Sequence, residues 1–205
     1  MKTQIFAASA LTAALAFAAA APGLAQVSRD PATVKAGAYK VEPYHTQVAF
    51  SLLHFGLTEY SGFFSGASGA LTLDPANPGA DKLDVTIPVD SVLTTVPKLT
   101  GELKGEKWFD TAKYPTAEFV STKVTLAGKA SAIINGTLTL HGVTKPITLK
   151  AHLVGAGVNP IDKAYTVGFS ASGTIKRSEF GVSAYVPYIG DDVRLTIAGA
   201  FELKP

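Results

Sequence analysis

The chain has 205 residues, 47% of them hydrophobic, with 18 Lys and Arg against 16 Asp and Glu and no cysteine. That near-neutral balance, without a basic tract, leaves no electrostatic case for nucleic acid or another polyanion. Zero cysteines exclude disulfides, thiol catalysis and thiolate metal sites, and the length is that of one ordinary domain with room for a core.

Met1 and Lys2 give a short positive start, residues 5–21 are dominated by Ala, Leu and Phe, and small residues close the segment at Gly23-Leu24-Ala25. This three-part pattern predicts a secretory signal, residues 1–25, cut after Ala25. Its apolar core is too short and Ala-rich for a permanent membrane span. The expected location is therefore the periplasm, without stable membrane insertion; a cysteine-free exported chain fits that compartment. Residues 26–38 are small and polar with no periodicity, and read as a flexible leader.

Residues 39–54 open the sheet: Val48, Phe50, Leu52 and His54 share one face, Gln47, Ala49, Ser51 and Leu53 the other. Residues 60–73 form a second, Gly-rich strand, in which Gly62, Gly66 and Gly69 permit bulges or sharp coiling. Asp74-Pro75 and Asn77-Pro78-Gly79 mark a turn, after which Leu83, Val85, Ile87 and Val89 alternate with period two. At 91–110 the pattern breaks. Pro97 suits a helix first turn, and Leu99 and Leu103 would share one face, although Gly101 and Gly105 oppose a helix.

Strands resume at 116–126, 130–140, 145–154, 165–175 and 192–203, with Gly128 and His141-Gly142-Val143-Thr144 at hairpin connections. The predicted fold is all-β: an eight-stranded antiparallel barrel over 39–204 with a short helical insertion. Eight strands enclose a space that is either filled by side chains or holds one small ligand.

Four histidines are the first metal candidates. His45 and His54 have odd separation and point to opposite faces of a regular strand, and neither His141 nor His152 has local ligand spacing, so no metal is assigned. No Gly-x-Ser-x-Gly elbow or Ser/His/acid order supports a catalytic triad. Asp191-Asp192 reads as loop capping rather than a carboxylate pair, and the chain is read as non-enzymatic with no cofactor.

Candidate ligand contacts are the inward aliphatic Leu52 and the aromatic set Phe50, Phe64, Trp108, Phe109, Phe119, Phe169, Phe180, Tyr185 and Tyr188. Aromatics in a barrel are core by default; in a hollow one they line the cavity. A buried acyl or prenyl chain gains about 0.8 kcal/mol per CH₂, so roughly 8 kcal/mol for about ten such groups before entropy losses. His54, on the inward face, offers one donor and one acceptor to a headgroup. Arg177 offers a bidentate fork to a pyrophosphate or carboxylate, with a salt bridge to Glu179 as the competing assignment.

The ordered blocks Glu42-Pro43-Tyr44-His45-Thr46, His54-Phe55-Gly56, Gly62-Phe63-Phe64, Gly69-Ala70-Leu71-Thr72-Leu73-Asp74, Trp108-Phe109-Asp110, Gly136-Thr137-Leu138-Thr139-Leu140-His141-Gly142 and Arg177-Ser178-Glu179-Phe180-Gly181 resemble the YceI-like family. The resemblance spans nearly the whole of 39–204. It implies a lipocalin-like barrel, an exported carrier or scavenger of a long-chain amphiphile (isoprenoid, quinone or fatty-acid type), and a homodimer. Two departures stand out: the insertion reads Pro97-Lys98-Leu99-Thr100-Gly101-Glu102-Leu103 where many relatives carry basic residues and a His, and Ala67 stands where a bulky aromatic is common. Two rival functions remain open at this point, a ligand-free stress or structural protein acting through its surface and an accessory to a lipid or quinone enzyme.

Overall fold

The computed structural model describes residues 27–205; the signal segment read at 1–25 lies outside them. Alternation of apolar and polar side chains builds ten strands and one helix: β1 (Gly37–Val41), β2 (Gln47–His54), β3 (Thr58–Phe64), β4 (Ser68–Leu73), β5 (Lys82–Pro88), α1 (Pro97–Lys104), β6 (Thr116–Leu126), β7 (Ser131–Leu140), β8 (Val143–Val158), β9 (Tyr165–Lys176) and β10 (Asp192–Leu203). Neighbouring strands run antiparallel in the order β1-β4-β5-β6-β7-β8-β9-β10, and β10 pairs with β1 to close the barrel.

The first two expected strands are each broken once, which reconciles ten segments with an eight-stranded barrel. Both β1 and β2 lie along β10, as Tyr39↔Leu203 and Val48↔Ile197 show. At the break between them, Thr46 replaces the backbone ladder with its side chain. Its hydroxyl donates to the Ala200 carbonyl at 3.2 Å and accepts from the Ala200 N–H at 3.0 Å. In the same way β3 continues the β2 hairpin while β4 pairs with β1 and β5.

The free edge of β3 exchanges two backbone hydrogen bonds, each 2.9 Å, between Phe63 and Leu93. The insertion therefore covers the end of the barrel that β3 leaves open. Within it α1 starts at Pro97, a residue that lacks only an N–H the first turn would leave unpaired. Leu103 is buried and Leu99 packs against the same cluster, while Gly101 faces solvent. The helix ends at Gly105, whose N–H bonds the Glu102 carbonyl.

The opposite, lower end carries the start of β1 and the ends of β4 and β10. The stretch read as a flexible leader is attached here through residues 27–38. Ser28 and Ala156 exchange backbone hydrogen bonds of 2.8 Å, Asp30 caps a short 3₁₀ turn at Pro31–Thr33, and Val34 is buried. Tyr39, fully buried, donates its hydroxyl to the Lys35 carbonyl. Apolar side chains thus gather in two clusters. One, around Tyr39, Leu71, Val167 and Phe201, fills the lower end. The other, around Phe50, Leu103, Phe180 and Val193, fills the upper end beneath α1 and the loop after β9.

Candidate ligand cavity

Between the two clusters the barrel is hollow. An upper chamber of about 150 Å³ and a lower one of about 160 Å³ meet at a waist of Val48, Ile87, Phe119, Leu149 and Ile197, which border both. The hollow persists because several inward positions hold small side chains: Ala132, Ala151, Ala171 and Gly199 all face the lower chamber. Ala67 lies on the same wall, so its small size enlarges the chamber. Leu195 and Ile197 face inward yet are only half-buried, as expected where the space they face is not filled.

The upper chamber is lined by apolar side chains and one charge. Phe50, Leu52, Phe64, Trp108, Phe109 and Phe119 stand on its wall together with Arg177. Phe64 joins Phe50 to Phe109 with both ring centroids 5.4 Å away, an aromatic train from β2 to the insertion. Phe50 fits because its partner across the ladder is Gly62: a Cβ there would lie 2.4 Å from the Phe50 ring. Phe169 belongs to the lower chamber, edge-on to Phe201 at 6.2 Å.

Four sequence-predicted contacts are placed differently. Phe180, 1% exposed, is packed in the cap and does not reach the wall. Tyr185 and Tyr188 are 59% and 69% exposed on the outer surface. His54 shares the inward parity of Phe50 and Leu52, but β2 has passed the end of the chamber by that point. Its exposed ring stacks edge-on against Phe55 at 4.5 Å, and its backbone bridges Ile189.

Arg177 is on the wall, yet its fork is engaged. Nε donates to the Gly190 carbonyl, Nη1 to Val182, and Nη2 to both Ala184 and Ile189, all within 2.9 Å. Four of five N–H groups therefore hold the loop after β9, which corrects both the anion-fork and the Glu179 assignments. Burial lowers the Arg177 pKa from its ordinary value, and nearby Asp191 opposes that shift. Asp191 caps the same turn through the Ser178 N–H at 2.9 Å and hydroxyl at 2.8 Å. Burial alone would raise Asp191, but those bonds and neighbouring cations hold it below the usual carboxylate range.

The upper end is packed with buried Val89, Val92, Phe180 and Val182, and the lower end with buried Tyr39, Ala67 and Val167. A further cavity of about 120 Å³ shares Leu73, Asp81, Phe169 and neighbouring walls with the lower chamber and reaches the surface beside Pro31, Pro75 and exposed Lys129. Asp81 is half-buried at this junction, and its Oδ1 accepts the Asp74 N–H at 2.7 Å. Burial, with the Asp74 carboxylate adding, raises its pKa from 3.8 to about 6 against the opposing N–H bond. Sequence reading treated this stretch only as a turn. Counting back by twos from Leu83, Val85 and Ile87 places Asp81 on the inward face, a signal that was there to use.

Among the described residues no group of three or more His, Cys, Asp or Glu is arranged to hold a metal ion, and no helix is long and apolar enough to cross a membrane. A family model, the YceI-like domain, matches residues 39–201. A UPF0312 protein of Pseudomonas aeruginosa (strain LESB58) is 38% identical over 162 residues, covering 78% of this chain and 84% of that protein. The crystal structure of the Campylobacter jejuni YceI protein matches with a TM-score of 0.66 at 32% identity, over 75% of this chain and 90% of that one. A polyisoprenoid-binding domain from Saccharophagus degradans, implicated in plant cell wall breakdown, shares the fold at 17% identity. Its TM-score is 0.62, over 81% of this chain and 98% of that one.

Proposed function

The chain belongs to the YceI-like family, and from that premise we propose that it is an exported carrier that holds the tail of a long-chain amphiphile in the barrel lumen without transforming it. The observation that carries the reading is the run of three adjoining, wall-sharing apolar cavities from the lower mouth past the waist to the aromatic upper chamber. Such a run takes an extended isoprenoid, quinone or fatty-acyl tail by burial alone, at about 0.8 kcal/mol per CH₂. The polyisoprenoid-binding neighbour supports the same class of ligand. The signal pattern at the start of the sequence supports delivery to the periplasm.

Along the tail, binding would be tolerant of branching and unsaturation, because the lining offers shape and few polar partners. The test is native mass spectrometry of protein purified from the periplasm, followed by solvent extraction and lipid identification. A stoichiometric long-chain species is the expected result. An apo mass that stays unchanged after incubation with prenyl alcohols, quinones and fatty acids would overturn the carrier reading and favour a surface-acting protein.

A further inference from the structure

We propose that the lower mouth is the headgroup site and that Asp81 makes it select a head that donates a hydrogen bond and carries no negative charge: an alcohol, a phenol or an amide. The inference rests on the carrier reading and adds to it the polarity of the ligand and its chemical class. The one charge on the upper chamber, Arg177, spends its donors on loop carbonyls, so a head that needs a polar partner finds it at the end where Asp81 stands.

Asp81 is the carboxylate common to the lower chamber and the mouth. The Asp74 N–H fixes Oδ1, and among the described residues Oδ2 has no protein donor. A ligand O–H or N–H would satisfy that oxygen. An anionic head would meet the Asp81 carboxylate, itself already under the influence of the Asp74 charge, in a half-buried place where like charges interact strongly. Lys82 and Lys129 border the same region, but both are exposed and their charges are screened by water. Arg177, the guanidinium that would welcome a phosphate, lies at the upper end with four of its five N–H groups engaged.

The experiment compares binding of geranylgeraniol and geranylgeranyl diphosphate, which share one tail, to the wild-type chain and to Asp81→Asn, with thermal melts to confirm folding. The wild type is expected to prefer the alcohol by about tenfold or more, and Asp81→Asn to narrow that gap by about tenfold through tighter diphosphate binding. A wild type that binds the diphosphate as tightly as the alcohol overturns the proposal while the carrier reading stands, and this result needs no variant. An alcohol preference that Asp81→Asn leaves unchanged also overturns it. Binding of neither ligand overturns this proposal, and the carrier reading is then decided by the quinone and fatty-acid incubations.

Discussion

The Arg177 guanidinium lies over the Trp108 ring, 5.5 Å from its centroid, and ties the insertion to the loop that follows β9. The same group donates to four carbonyls of that loop, so one residue, 4% exposed, knits together the upper end of the barrel. The two halves of the cap are joined by a residue rather than by a strand pairing. That explains how an irregular loop covers a barrel end without leaving its buried carbonyls unpaired.

Arg177→Lys keeps the charge but not the planar fork, and leaves several loop carbonyls without donors. The expected loss is about 2–4 kcal/mol of unfolding free energy, measured by urea denaturation. A change within a few tenths of a kcal/mol would mean that the loop carbonyls find water instead.

Much of this architecture was legible in the sequence for a plain reason: period two survives wherever a strand has one face on the lumen and one in solvent. Parity puts Val48, Phe50 and Leu52 on one face of β2, and Leu83, Val85 and Ile87 on one face of β5, and both faces line the lumen. Parity fails where a bulge intervenes. Phe119 and Val124 both face the lumen although they are an odd number of residues apart, because the register shifts between Ser121 and Lys123. It also says nothing about where a cavity stops, which is why His54 was placed on a wall it overshoots. The fate of Arg177 depended on the path of the loop after β9, and no local pattern encodes which carbonyls that loop turns inward.

Glycines divide sharply by what surrounds them. A Cβ at Gly136 would stand 2.5 Å from both the Phe119 ring and the Val120 carbonyl, so Gly136→Ala must displace a waist residue or the β6 backbone. The expected cost is about 1–3 kcal/mol. At Gly101, on the exposed side of α1, nothing lies within 4 Å of the added carbon, and Gly101→Ala should stabilise the helix by about 0.5–1 kcal/mol. Thermal melts of the two variants should move in opposite directions.

Asp81 makes an unusual contribution to pH dependence. Its folded pKa, about 6, lies above the ordinary 3.8, so the folded chain binds this proton more tightly than the unfolded chain does. The ionised form is the penalised one: the penalty is complete above pH 6, shrinks as pH falls, and is gone below the ordinary value. Each pKa unit corresponds to about 1.4 kcal/mol, and partial solvent exposure of the carboxyl reduces the total to about 1 kcal/mol. Asp81→Asn should therefore raise stability at pH 7 and leave it unchanged at pH 3.5. A stability gain of equal size at both pH values would point to packing rather than charge.

The waist offers the sharpest test of the lumen, because Ile197 borders both chambers while Thr196, its neighbour on β10, is exposed on the outer face. Ile197→Trp would fill space that is empty rather than displace packed atoms. The usual overpacking cost of about 1–3 kcal/mol should then be offset in part by new apolar contact. Binding of a long-chain ligand should fall by at least about tenfold, since the tail could no longer pass between chambers. Thr196→Trp adds the same indole on the opposite face and should leave binding unchanged. Titration of a fluorescent prenyl or acyl probe into each variant reads the difference directly. Equal loss in both variants would show that the probe sits on the outer wall, and equal retention would mean that its tail stops short of the waist.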